Sequence, residues 1–230
     1  MKILRHLPNA LTCCNLLCGC IGIIFTIQYT SEYPTLSAAW FVWAACIFDF
    51  FDGFAARLLK VSSAIGKELD SLADMVSFGV LPSILMFRMI DTISSNEILP
   101  FVAFSLAIFS ALRLAKFNID ENQKDSFIGL PTPANALFIT SLVALESPWD
   151  IFISNDLLLV GITLIFSFLL VAPFELFALK FKNFSWSDNK LRFTFLAFSV
   201  LLLGLWQVAA LPFIILLYVI VSLLTRWIRI

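Results

Sequence analysis

Apolar runs of about 16 to 25 residues recur along almost the whole chain, near 8–29, 35–56, 69–90, 98–117, 131–147, 156–179, 191–205 and 209–226. A helix of about 20 residues crosses the hydrocarbon layer of a bilayer, so most of these runs are long enough to span and the last two are short. With 60% hydrophobic residues, 25 Phe and a mean hydropathy of +0.96, no soluble core would absorb the apolar side chains. The expected fold is all-α: a polytopic membrane protein, a helical bundle of about eight transmembrane helices, with seven as the alternative count. A tight turn from Gly204 to Pro212 must join the last two runs.

The basic residues test that layout. Lys2 and Arg5 precede the first run, Arg57, Lys60 and Lys67 lie between the second and third, and Arg113, Lys116 and Lys124 between the fourth and fifth. Lys180, Lys182, Lys190 and Arg192 separate the sixth from the seventh, and Arg226 and Arg229 follow the eighth. Every Lys and Arg except Arg88 thus falls on one side, which the positive-inside rule makes the cytoplasm, both termini included. Glu32, Asp91, Glu97, Glu146, Asp150 and Asp156 occupy the opposite side. A net charge of -1 without a basic face excludes nucleic acid as a partner. The first run reads as a retained span, because no small-x-small cleavage site is evident near residue 25 and Leu17 is not the small residue expected before a lipidated Cys18. Cys13, Cys14, Cys18 and Cys20 crowd that span and read as reduced packing residues, not zinc ligands. His6 falls in the headgroup region and receives no role.

Four aspartates interrupt this apolar sequence: Asp49 and Asp52 near the end of the second run, Asp70 and Asp74 at the start of the third. An ionisable residue inside a membrane span costs roughly 2.5 to 3.5 kcal/mol on insertion scales, so a cluster of four needs a compensating partner. On a helix, residues at i and i+3, or i and i+4, share a face, and two antiparallel helix ends deliver all four carboxylates to one locus. Oxygen ligation without His or Cys selects hard divalent cations, and two such ions, Mg²⁺ or Mn²⁺, are expected between the carboxylates. A two-metal site suits phosphoryl displacement. Gly53 and Ala56 would let a nucleotide approach the helix backbone, and Arg57 is placed to clamp a phosphate. Taken singly, these residues read as a salt bridge, a helix-packing stripe and a headgroup anchor; taken jointly at fixed offsets they read as a site. A cation transporter using the same acids is the rival from another class, and it would place broken helices at the midplane within inverted repeats. No internal repeat appears, and all four acids crowd one membrane face.

Asp49-x2-Asp52-Gly53-x2-Ala56-Arg57-x8-Gly66-x3-Asp70-x3-Asp74 resembles the signature of the CDP-alcohol phosphotransferases at every position. The resemblance implies that Asp49, Asp52, Asp70 and Asp74 hold two metals gripping a CDP diphosphate, and that Asp74 is the base activating the acceptor hydroxyl. It also implies a six-helix catalytic core, placed at residues 1–180 here, with a C-terminal transmembrane hairpin at 181–230, and a homodimer. The stretches Leu7 to Thr12, Asn15 to Gly19, Glu68 to Gly79, Arg113 to Asn118 and Gly129 to Ala134 resemble the branch of that family that uses L-serine, the integral-membrane phosphatidylserine synthases. Ser71 and Met75 stand where the glycerol-phosphate branch carries Pro and Lys. The expected reaction transfers phosphatidyl from CDP-diacylglycerol to L-serine at the cytoplasmic face of the membrane lipid. CDP-diacylglycerol is expected on Asn9, Thr12, Gly53, Ala56, Arg57 and Gly66, and the serine carboxylate on Arg113, Lys116 or Asn118. Glycerol phosphate, an inositol compound or choline as acceptor would keep every motif residue.

Overall fold

Lipid offers no partner for a backbone amide, so each apolar run must satisfy its own hydrogen bonds, and the runs are helical. The structure, a computed structural model, describes residues 3–28, 34–61, 63–119, 127–145, 149–176 and 185–228. The order is α1 (Leu7–Gln28), α2 (Pro34–Leu59), α3 (Ala64–Asp74), a π-helical segment (Met75–Val80), α4 (Leu81–Ile93), a 3₁₀ entry (Leu99–Phe104) into α5 (Ser105–Ile119), β1 (Phe127–Ile128), α6 (Thr132–Ser141), α7 (Asp156–Val171), β2 (Glu175–Leu176), α8 (Trp186–Trp206) and α9 (Leu211–Ile228). Among the described residues five helical stretches are long and apolar enough to cross a membrane, namely Leu7–Gln28, Ala38–Leu59, Ala64–Ile93, Leu99–Ile119 and Asn189–Thr225, and two shorter apolar helices accompany them. The last stretch is broken at Gln207, whose φ of 50° no continuous helix tolerates, so it is the expected pair of short runs. The chain is therefore an all-α, multi-pass membrane protein.

The third stretch is the axis of the bundle. Its most apolar window is 56% buried, against 28–33% for the other four, because α4 turns Leu81, Leu85, Met86, Met89 and Ile90 inward on every side. Helix α1 packs on it through an inward face of Pro8, Thr12, Asn15, Gly19, Gly22 and Thr26, while Leu17, Ile24 and Ile27 face outward. Small residues are what a membrane helix needs for close approach. A Cβ on Gly19 would stand 2.5 Å from Ser77 Oγ, and one on Gly22 2.5 Å from Leu81 Cδ2. Helix α6 is enclosed too, with Thr132, Asn135, Ala136, Phe138, Ile139, Thr140 and Ser141 all buried. The stretch Thr132–Ala144 rises about 20 Å, less than the hydrocarbon thickness, so protein and not lipid must surround it. Phe138 stacks on Phe166 of α7 at 3.7 Å between ring centroids. Helix α9 docks on this core through Ile214, Ile215, Tyr218 and Val219, while α8 exposes Val200, Leu201 and Leu205 outside it.

Several expectations from the sequence shift here. The sixth apolar run, 156–179, is helical only to Val171: Pro173 disfavours helix at the residue before it, and Ala172 is extended with ψ 137°. The chain then pairs Glu175 and Leu176 antiparallel with Ile128 and Phe127. Gly129 closes that ladder with φ +75°, donating its amide to Phe174 O at 3.0 Å, and a Cβ there would collide with the Leu170 carbonyl. Most of the described prolines mark helix starts and stops. Pro100, Pro133 and Pro212 sit in first turns and Pro173 follows a helix end. Among the described prolines only Pro82 lies beyond the first turn of a continuous helix, directly after the π-helical segment, where the Leu81 amide reaches back five residues to Val76 O. Helix α8 runs through Gly204, which narrows the last turn to Gln207–Ala210.

Candidate active site

Helices α2 and α3 are joined by the short link around Lys60 to Ser63, which folds the end of one back on the start of the other. Lys60 takes φ 53°, and the Ser63 hydroxyl accepts the Gly66 amide at 3.0 Å to cap α3. The i, i+3 and i, i+4 spacings then turn the acids toward one another. Asp49, Asp70 and Asp74 bring one carboxylate oxygen each to within 4.8 Å of the others. Asp52 is drawn elsewhere: it is 6% exposed, and its Oδ2 accepts the Thr12 hydroxyl of α1 at 2.6 Å. The trio is therefore tighter than the expected quartet, with the fourth acid one turn further along α2.

This donor set fits a hard divalent cation. Among the described residues no Lys or Arg lies within salt-bridge distance of any of the four aspartates. Asp70 Oδ1 is buried without a hydrogen-bond partner. Three carboxylates gathered with no cation in ion-pair contact, one of them with an orphaned oxygen, form a cluster able to hold a metal ion.

Beside the cluster opens a cavity of about 1130 Å³, lined by Asp52 and Asp70 and by Asn9, Thr12, Gly53, Ala56 and Gly66. Gly53 presents open space where a side chain would project, and a Cβ on Gly66 would meet Asn9 Oδ1 at 3.0 Å. Five of the six residues expected on CDP-diacylglycerol line this one space. The sixth, Arg57, is exposed on α2 and donates its Nε to Gly53 O at 2.9 Å. Arg5, His6, Lys60 and Lys67 also border the cavity. Sequence reasoning gave none of them a place in the site, and for His6 the signal was its position one helical turn before Asn9.

The residues expected on serine divide. Arg113 is buried at 9% exposure, donates Nη1 to Thr132 Oγ1 at 3.3 Å, lies 5.8 Å over the Phe117 ring and is near enough to Asp74 for their opposite charges to interact. Asn118 instead ties α5 to α3. Its Nδ2 donates to Ser71 Oγ at 2.9 Å, and its carbonyl accepts Lys67 Nζ at 2.9 Å. Lys116 is exposed. Asn15 was missed: its Nδ2 donates to Asp74 Oδ1 at 3.3 Å, and its carbonyl accepts Ser77 Oγ at 2.9 Å, which holds α1 against the end of α3.

A multi-pass helical membrane protein whose helix ends gather acids around an open cavity is the class that fold and site define. Residues 5–173 match the profile of the CDP-alcohol phosphatidyltransferases, and the chain belongs to that family. It is similar to the CDP-diacylglycerol–serine O-phosphatidyltransferase of Helicobacter pylori strain J99, 36% identical over 168 residues covering 72% of this chain and 69% of that protein. The protein of that name from Bacillus subtilis is 35% identical over 149 residues, covering 63% of this chain and 79% of the relative. The one from Saccharomyces cerevisiae is 34% identical over 150 residues, or 60% of this chain and 53% of the relative.

Proposed function

We propose that this chain is a CDP-diacylglycerol–serine O-phosphatidyltransferase, transferring phosphatidyl from CDP-diacylglycerol to L-serine. The observation that carries the reading is the meeting of the Asp49, Asp70 and Asp74 carboxylates at the edge of a cavity already lined by Asn9, Thr12, Gly53, Ala56 and Gly66. The names of its relatives, at 34–36% identity, support serine as acceptor.

Asp49, Asp70 and Asp74, with Asp52 alongside, would hold two divalent cations, Mg²⁺ or Mn²⁺, which when bound neutralise charge on a diphosphate and its leaving group. Gly53 and Ala56 leave room for the nucleotide against α2. Arg57, whose terminal nitrogens have no protein partner among the described residues, reaches for phosphate from the same turn. Asp74 takes the proton of the serine hydroxyl as its oxygen bonds to the phosphorus that carries diacylglycerol. The bond from that phosphorus to the CMP oxygen breaks, and phosphatidylserine and CMP leave. No Ser or His within the aspartate motif is an obvious covalent nucleophile, and the displacement is direct in this reading. Arg113, buried and close to Asp74, takes the serine carboxylate.

Residues 1–180 form the catalytic core in this reading and 181–230 an added hairpin. The excess of basic residues around the aspartate end of the helices supports a cytoplasmic position for the site and both termini. The resemblance adds a homodimer. Purified protein given CDP-diacylglycerol and a panel of acceptor alcohols tests the assignment: CMP release with L-serine alone is expected. Release with glycerol phosphate, an inositol compound or choline instead of serine moves the chain to another branch.

A further inference from the structure

Buried polar atoms without partners are rare, because each forfeits the hydrogen bonds it made to water. Among the described residues two of the six, Asn15 Oδ1 and Asp70 Oδ1, belong to the aspartate site, and the other four lie on α5 and α6. Asn135 is 0% exposed and both its Oδ1 and Nδ2 lack a partner. Ser110 Oγ and Arg113 Nε are orphaned in the same way. These residues are neighbours by construction: Ser110 and Arg113 are one turn apart on α5, Thr132 and Asn135 one turn apart on α6, and the Arg113–Thr132 hydrogen bond at 3.3 Å joins the two helices. The π-helical segment that follows Asp74 forms the third wall, with Gly79 so close to Ser110 that an added Cβ would lie 3.1 Å from Ser110 Cβ. The seam thus runs from Asp74 toward the bundle interior, away from the nucleotide cavity, whose lining includes none of these residues.

We propose that Asn135, with Ser110, recognises the ammonium group of the acceptor, making the α5–α6 seam the amino-acid subsite and Asn135 a residue that selects an α-amino acid over other hydroxy acids. The inference rests on the phosphatidyltransferase reading and deepens it. An ammonium offers three donors, and the Asn135 carbonyl oxygen and Ser110 hydroxyl are acceptors with no other bonds; a carboxylate on the same small molecule meets the Arg113 guanidinium a turn away. The serine hydroxyl is then carried toward Asp74, which Asn15 holds from the other side. The arrangement also gives a reason for an amide at a site where an apolar side chain would fold more easily.

The test pairs a residue change with a substrate change. In purified protein with CDP-diacylglycerol, kcat/KM is measured for L-serine and for 3-hydroxypropionate, which is serine without its amino group. Asn135→Leu should lower kcat/KM for serine about ten- to a hundredfold and so collapse the preference of serine over 3-hydroxypropionate, with the KM for CDP-diacylglycerol following neither. Its unliganded Tm should hold or rise, because an orphaned amide is replaced by an apolar group of similar size. Asn135→Asp, which keeps an acceptor, should retain part of the preference. The proposal is overturned by a preference unchanged in Asn135→Leu, by equal loss for both acceptors, or by a fall in unliganded Tm with general loss of activity, which marks a packing residue. If the wild type releases no CMP with serine, the assigned reaction fails separately. The subsite then stands or falls on whether L-serine raises the Tm of the wild type and not of Asn135→Leu.

Discussion

Thr12 of α1 donates its hydroxyl to Asp52 of α2 at 2.6 Å, across 40 residues of sequence, and by doing so holds one of the four motif acids apart from the other three. Pro8 O lies 3.1 Å from the same hydroxyl, so its single proton has two acceptors within reach and the carboxylate is the nearer. Thr12→Val keeps the shape of the side chain and removes the bond. Asp52 then loses a charge-assisted partner worth about 1.5–3 kcal/mol, and kcat/KM for CDP-diacylglycerol should fall about tenfold or more while the folded protein survives. Serine-dependent CMP release against lipid concentration reads it. Unchanged kinetics would make the contact a packing accident.

The metal prediction follows from a carboxylate cluster that no cation contacts as an ion pair. Excess EDTA should silence CMP release, and Mg²⁺ or Mn²⁺ should restore it. Asp49→Asn and Asp70→Asn should each cost about a hundredfold or more in kcat, since each removes a ligand and leaves two carboxylates without their third. Asp74→Asn should lose turnover more completely than nucleotide binding, because it also removes the base. Full activity in EDTA would falsify the metal reading outright.

How far the sequence speaks for this molecule depends on whether a feature is local. The spacing of the aspartates is local, so their faces on α2 and α3 were legible, whereas the sixth run was carried to residue 179 because its apolar composition outlasts the helix that Pro173 ends. The split of the acids was not, because Thr12 reaches Asp52 only through the packing of α1, and Asn15 reaches Asp74 across 59 residues. The π-helical segment has no period of its own, and Pro82 beside it was the one available sign. Asn118 had the composition of a ligand and serves as a strut, since the contact with Ser71 that commits it is tertiary.

Gly129 offers a stability test away from the chemistry. An alanine there must hold φ +75° and push its Cβ against the Leu170 carbonyl, at a cost of about 1–2 kcal/mol for the backbone alone. Gly129→Ala should lower the Tm in detergent. Gly161→Ala, in a helical position with nothing within 4 Å, should leave it unchanged or raise it. Equal Tm values for the two variants would mean that the β1–β2 closure does not constrain the fold.

Topology is testable through two exposed positions on opposite ends of the helices. In a variant free of native cysteines, Lys190→Cys lies on the basic side and Ser95→Cys in the link between α4 and the 3₁₀ entry to α5. A membrane-impermeant maleimide added to intact cells should label Ser95→Cys alone, and Lys190→Cys should react only after lysis. The reverse pattern would put the aspartates outside the cell and remove the site from the cytoplasm.

Arg113 is the residue on which acceptor binding turns. Its guanidinium is placed by Thr132 at 3.3 Å and by the Phe117 ring at 5.8 Å, which leaves a planar fork suited to a carboxylate near Asp74. Arg113→Lys keeps the charge and loses the fork, so the KM for serine should rise about ten- to a hundredfold before that for CDP-diacylglycerol moves. Ethanolamine and choline carry no carboxylate; they should be poor acceptors for the wild type and suffer no further penalty from the substitution. Loss of serine and CDP-diacylglycerol binding in equal measure would show instead that Arg113 braces α5 against α6, and that the carboxylate is held elsewhere along the helix ends.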